Sequence, residues 1–164
     1  MSDPQDKTPA PDIEIRILRL GEAADLAPLI AAYNKSLFSE APGTPDVSYA
    51  EKLLQDRTAE VLGARLDGVL VGFVVFYDIP DLWTGMRSGL ADHIYVDEHH
   101  RRKGIAKAMI DLLAEEADPR GWSKLVLHSP RNPEAGRQLY ERVAAPADWK
   151  SFVVRFSDRS LPPR

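Results

Sequence analysis

The segment Asp92-His93-Ile94-Tyr95-Val96-Asp97-Glu98-His99-His100-Arg101-Arg102-Lys103-Gly104-Ile105-Ala106 gathers most of the side chains able to do chemistry in this chain. Its first five residues read as the end of a strand. From Ile105 the apolar residues Ile105, Met109, Leu112 and Leu113 fall on one helical face, which fixes a helix start near Gly104. Arg101, Arg102 and Lys103 therefore crowd a helix N-terminus, where the helix dipole disfavours cations by a few tenths of a kcal/mol each, roughly. A bound phosphate removes the conflict, because it accepts from the free backbone N–H groups while the basic side chains flank it. Gly104 lets the backbone approach such an anion closely. The glycine pattern fits neither a Walker A loop nor a dinucleotide-binding fingerprint.

A strand is needed to carry Asp92–Val96 and a helix to follow Gly104, and the rest of the chain supplies their setting. Alternation at Ile13, Ile15 and Ile17 predicts a first strand. Leu26, Leu29, Ile30 and Tyr33 predict a helix within 22–36, with Pro28 requiring a start near Asp25. Ser48 and Glu51 have capping-box spacing and predict a second helix to about Arg57. Two apolar runs, Glu60–Leu66 and Val69–Tyr77, meet at Asp67-Gly68, a hairpin signal. Pro80, Gly85 and Gly89 read as a break over 79–89. Further strands are expected at Leu90–Val96, Lys124–His128 and Ser151–Phe156, with helices at Ile105–Ala117 and Glu134–Ala144. The order is that of an α+β domain with a largely antiparallel sheet and a parallel stretch near its middle. The domain is expected to span 13–157, between a proline-rich, charged tail at 1–12 and a second tail at 158–164.

Composition narrows the function. The 164 residues suit one domain. There is no cysteine, which excludes disulfides, thiol catalysis and thiolate metal sites. The four histidines lack metal-ligand spacing, so no metal is expected. A net charge of −4 argues against general nucleic-acid binding. No apolar run approaches the ~20 residues of a membrane span, and the N-terminal residues do not read as a signal peptide. A cytoplasmic location is the expectation.

Arg101, Gly104 and Ala106 form R-x-x-G-x-A, which resembles the pyrophosphate loop (Q/R-x-x-G-x-G/A) of the GNAT superfamily of acyl-CoA-dependent N-acetyltransferases. The likeness covers about 140 residues by element order and Gly89–Val143 by motif. It implies a mixed, largely antiparallel sheet of about six to seven strands, with two strands splayed where acyl-CoA enters. It implies acetyl-CoA as acyl donor, held at Arg101, Arg102, Lys103, Gly104, Ile105 and Ala106. The main chain of Ile94, Tyr95 and Val96 would meet the acetyl carbonyl and the pantetheine arm. Asn132 would be a pantetheine contact, although Asn before Pro133 also suits a helix cap. Tyr140, one turn after Gly136, would protonate the departing thiolate; a phenol of pKa ~10 can serve a thiolate of pKa ~8.5 in a dry pocket. Homodimers occur in many members, so a homodimer is a further expectation.

The acceptor implied is a primary amine of a small molecule. An alkyl ammonium of pKa ~10.4 is only about 0.04% neutral at pH 7, a cost of about 4.6 kcal/mol, so a base is useful. The order Asp92-His93-Ile94-Tyr95-Val96 resembles the Glu-Asp-Leu/Phe-x-Val of the diamine and thialysine acetyltransferase branch, with Asp for Glu and His93 for the acid. Asp92 stands as a base acting through a water, a contact for the substrate cation, or an ordinary strand residue. His93 is a second proton acceptor or a satisfied, partly buried histidine. By alternation Asp92, Ile94 and Val96 share one face, and His93 and Tyr95 the other. Asp78, Asp81 and Trp83 are candidate contacts for a cationic amine, and His128 ends a strand near the expected mouth of the site. Acetylation of protein or peptide amines, and acyl-CoA binding without catalysis, are the alternatives.

Overall fold

The computed structural model describes residues 12–129 and 134–154. Five strands form one sheet in the order β1 (Ile13–Ile17), β2 (Ala59–Leu66), β3 (Val69–Asp81), β4 (Met86–Val96), β5 (Trp122–Leu127). The first four pair antiparallel and β4 pairs with β5 in parallel. α1 (Ala23–Leu37) and α2 (Val47–Leu54) precede β2. α3 (Ile105–Glu115) and the short α4 (Ala117–Arg120) join β4 to β5, and α5 (Glu134–Val143) follows. The expected order of elements holds as far as α5. The sheet has five strands among the described residues rather than six to seven: residues 151–154 hold no strand, and 155–156 lie outside the described residues. Of the two expected tails, 1–11 and 158–164 also lie outside them.

Both faces of the sheet are covered. Leu26, Leu29 and Tyr33 of α1 pack with Val61, Phe73, Val75 and Tyr95 on one face. Ile105, Met109 and Leu113 of α3 pack with Leu62, Val74, Phe76, Val96 and Trp122 on the other. Double coverage explains why Val69–Tyr77 reads as an almost unbroken apolar run. Asp67 and Gly68 turn the β2–β3 hairpin at φ 50° and 82°, left-handed at both central positions, as the dipeptide predicts.

Several boundaries differ from the sequence reading for identifiable reasons. α1 starts at Ala23, ahead of Asp25, and tolerates Pro28 inside it. α2 is capped by Asp46, whose carboxylate accepts from Tyr49 N at 2.9 Å, instead of by Ser48. Residues 79–89 are mostly strand, not a break: β3 and β4 stay paired to Asp81↔Met86, and Pro80 sits opposite Arg87. β2 ends opposite Tyr77, so past that point β3 has only β4 as a neighbour. A proline there removes no ladder bond from a second strand.

Candidate functional site

The site begins where β4 loses its parallel partner. Pairing with β5 runs from Arg87↔Trp122 to Ala91↔Leu127 and ends with His128 N donating to Ala91 O at 2.9 Å. β4 continues through Asp92–Val96 paired only with β3. Among the described residues no strand covers that edge of β4, so the sheet is open there.

A bulge sits at the same point. Val75 pairs with His93 and Phe76 with Ala91, which leaves Asp92 as the extra residue. Beyond it the alternation holds. Ile94 and Val96 face the α3 core, and Tyr95 faces the α1 core. Ala91, three residues before Ile94, packs on the same side as Ile94. The bulge therefore breaks the period at Asp92 and does not continue it, which corrects the placement of Asp92 on the Ile94 face by counting.

Asp92 lies between two imidazoles. Its Oδ1 is 2.7 Å from His128 Nδ1 and its Oδ2 is 3.2 Å from His93 Nε2. His93 Nδ1 is 3.1 Å from the hydroxyl of Tyr33, whose ring stands edge-on to His93 at 5.6 Å. Burial first, then the charges at Tyr140 and Asp92, push the Tyr33 phenol up to about 12, so it stays protonated. These groups open onto a cavity of about 620 Å³ lined also by Leu37, by Val126 and Leu127 of β5, and by Trp149. His128 and Asp92, expected separately, thus come together. Tyr33 carried a sequence signal only as a core residue of α1, and it is both core and polar partner here.

The basic turn sets cationic side chains beside the N-terminus of α3. Arg102 has φ 61°, a left-handed conformation that costs a β-carbon-bearing residue about 1–2 kcal/mol. Gly104 is the N-cap of α3 at φ 77°, has no capping side chain, and no acidic residue follows in the first turn. The first N–H groups of α3 therefore have no side-chain acceptor from the cap or the first turn. Arg102 and Lys103 are exposed. Arg101 turns back: its Nε donates to Val96 O at 3.1 Å and its guanidinium lies 5.9 Å from the Tyr95 ring centre. It ties the turn to β4.

Tyr140 lies on α5, and burial raises its pKa, keeping its proton in place. Asn132 lies outside the described residues. The two acidic residues expected to meet a cation are otherwise engaged. Asp81 is 6% exposed, pairs with Lys124 Nζ at 3.1 Å and accepts from Thr84 and Ser123 at 2.9 Å. Asp78 accepts from Arg87 Nε at 2.5 Å. Both fasten the β3–β4 hairpin, and Asp81 also fastens β5. Trp83 at the hairpin tip meets Trp149 at 6.0 Å, which carries an exposed aromatic pair toward the cavity. Among the described residues no group of three or more His, Asp or Glu is arranged to hold a metal, and no helix is long and apolar enough to cross a membrane.

Comparison with known proteins places this geometry among relatives. The acetyltransferase (GNAT) family matches residues 26–145. The crystal structure of a ribosomal-protein-alanine N-acetyltransferase from Brucella melitensis biovar Abortus 2308 is 57% identical with a TM-score of 0.81, covering 88% of this chain and 99% of that one. An aminoglycoside N-acetyltransferase in complex with CoA shares the fold at 17% identity and a TM-score of 0.67, covering 93% of this chain and 99% of that one. A probable N-acetyltransferase family 8 member 5 from Mus musculus is 27% identical over 110 residues, 60% of this chain and 48% of the relative. The chain thus spans about half the length of that curated relative.

Proposed function

The chain belongs to the GNAT acetyltransferase family, and on that premise we propose that it moves an acetyl group from acetyl-CoA to a primary amine by direct attack. One observation carries this reading. The open edge of β4 over residues 92–96 runs from the Asp92–His128 cluster at one end to the basic turn before α3 at the other. The edge offers main-chain groups to the acetyl carbonyl and the pantetheine arm. Backbone N–H groups over 102–106 hold the pyrophosphate, with Arg102 and Lys103 flanking it and Arg101 bracing the turn. Fixed N–H donors aimed at the developing oxyanion are the largest expected contribution to rate. Positioning supplies much of the rest, since no covalent intermediate is needed. Asp92 and its imidazoles receive the ammonium, and Tyr140 gives its proton to the leaving sulfur.

The acceptor in this reading is a small cationic amine, for which the cavity beside Asp92 has room. A second reading is the α-amine of a protein N-terminus beginning with alanine. The 57% likeness to the Brucella enzyme favours it. Both are tested in one assay. Because the chain has no cysteine, a thiol reagent reports only released CoA. Spermidine, an aminoglycoside, an alanine-initiated peptide and its N-blocked form are offered with acetyl-CoA. Turnover of spermidine over the peptide supports the small-amine reading, and turnover of the free but not the blocked peptide supports the second. Gly104→Glu, whose added Cβ meets open space but at a left-handed φ of 77°, is the control that abolishes acetyl-CoA binding by calorimetry, with its fold checked by circular dichroism. Wild-type protein that neither binds acetyl-CoA nor releases CoA refutes the proposal.

A further inference from the structure

The geometry assigns the general base to His128 Nε2, with Asp92 holding that ring in the required tautomer and the hydrogen-bonded Tyr33–His93 pair standing beside the carboxylate. This rests on the acetyl-transfer reading above and deepens it.

The assignment follows from counting protons. An ionised carboxylate only accepts hydrogen bonds. Asp92 Oδ1 makes a hydrogen bond with His128 Nδ1 at 2.7 Å, while His93 Nε2 stands 3.2 Å from Oδ2 as a charge-pair contact. His128 Nδ1 must therefore carry a proton. A neutral imidazole has only one, so the opposite nitrogen of that ring is an acceptor. His93 Nδ1 shares a hydrogen bond with the Tyr33 hydroxyl at 3.1 Å, which holds the His93 ring beside the carboxylate. On His128 the acceptor is Nε2, on a ring that lines the cavity and whose side chain is 49% exposed. The lone pair that can take a proton from an incoming ammonium is thus on His128. Asp92 acts through Oδ1, orienting the ring and stabilising the imidazolium.

The chain is anchored at its far end. Tyr33 is 7% exposed and packs against Phe73 and Tyr95 at 5.9 and 5.5 Å. The bulge at Asp92 brings the carboxylate between the two rings, and the end of β4–β5 pairing sets His128 beside it. The titratable groups facing His128 are Asp92 and His93 from β4 and, through them, Tyr33 from α1. Tyr140 of α5 is coupled electrostatically to Tyr33. Among the described residues no lysine or arginine lines the cavity. In the reaction, His128 Nε2 takes one proton from the ammonium. The freed nitrogen lone pair forms the N–C bond as the C–S bond breaks, and that electron pair goes to sulfur. Tyr140 gives its proton to the sulfur and regains one from the acylated nitrogen. The proton on His128 passes to solvent.

Two measurements test this. Long-range ¹⁵N–¹H spectra of histidine-labelled protein read the tautomers without any substrate. Neutral His128 is expected as the Nδ1–H form, and Asp92→Ala is expected to return it to the Nε2–H form that free imidazole prefers. A wild-type His128 in the Nε2–H form overturns the inference. The second measurement is the pH profile of kcat/KM with spermidine and with the alanine-initiated peptide. His128→Gln is expected to lower kcat at least 100-fold and to remove the acidic limb, with acetyl-CoA affinity within twofold. Tyr33→Phe keeps the ring and its packing; it is expected to lower kcat several-fold and move the acidic limb. An acidic limb that survives in His128→Gln, with the wild type active, overturns the base assignment and leaves acetyl transfer intact. A wild type inactive on both amines removes the transfer reading instead, and the tautomers then decide the inference alone.

Discussion

Replacing Glu22 with glutamine removes the charge on which the entry into α1 is built. Arg16 donates to Glu22 through both terminal nitrogens at 2.8 and 2.9 Å, Arg65 at 2.8 Å, and the backbone N of Arg19 at 2.8 Å. The Arg16 guanidinium first, with the Arg19 N–H and Arg65, holds the Glu22 carboxyl at about 2, against an ordinary 4.5. That displacement favours the folded state by about 3 kcal/mol at neutral pH. Arg16 is 42% exposed and Glu22 14%, so solvent screening of the exposed partner brings the expected loss to about 2 kcal/mol. The sign follows from a folded-state pKa below the unfolded one. The stabilisation is complete above about pH 4.5 and fades as pH falls toward 2. Urea denaturation of wild type and Glu22→Gln at a series of pH values is the assay. The two should differ by about 2 kcal/mol at pH 7 and converge near pH 2. A gap that stays constant down to pH 2 would refute the reasoning, because it would show that shape or packing, not ionisation, stabilises this corner.

Three further outcomes are expected. Tyr140→Phe should lower kcat by about 10²–10³-fold with acetyl-CoA affinity unchanged; equal losses in both would remove the acid role. Asp81→Asn should lower the melting temperature, since it unpairs Lys124 from a buried site, while leaving KM for the amine unchanged. A raised KM at unchanged stability would return Asp81 to the substrate. Gly89→Val should cost about 2–3 kcal/mol by denaturant titration, because its Cβ would stand 2.5 Å from the Trp122 ring and 2.9 Å from Leu125. Unchanged stability would mean that β5 moves freely against β4.

The sequence signals that succeeded were local. Asp67-Gly68, the Ile105-Met109-Leu113 face and the basic glycine turn each follow from neighbours within a few residues, and the structure keeps all three. Those that failed needed knowledge of a distant partner. Pro80 reads as a break until β2 is known to begin only at Ala59, opposite Tyr77. Asp81 reads as a solvent-facing acid until Lys124, Ser123 and Thr84 close around it. Ser48 has the spacing of a cap, but Asp46 makes the bond. The site divides in the same way. The basic turn is a contiguous motif. The polar chain takes one residue from α1, two from β4 and one after β5, and no spacing rule joins Tyr33 to His128.

The bulge shows why that chain forms at all. Without it, strict alternation would turn Asp92 toward the α3 core with Ile94 and Val96, where an unpaired carboxylate would be costly to bury. With Asp92 as the extra residue, His93 stays in phase with Tyr95 and reaches Tyr33, while Ala91 takes the inward position beside Phe76. The carboxylate is then free to lie between the two imidazoles. The bulge also adjoins the last shared bond of β4 and β5, between Ala91 and His128. A twisted parallel pair that continued past this point would place β5 backbone where the open edge of β4 now lies. One inserted residue thus coincides with the end of β4–β5 pairing at the Ala91–His128 bond and with the placing of the carboxylate beside His128.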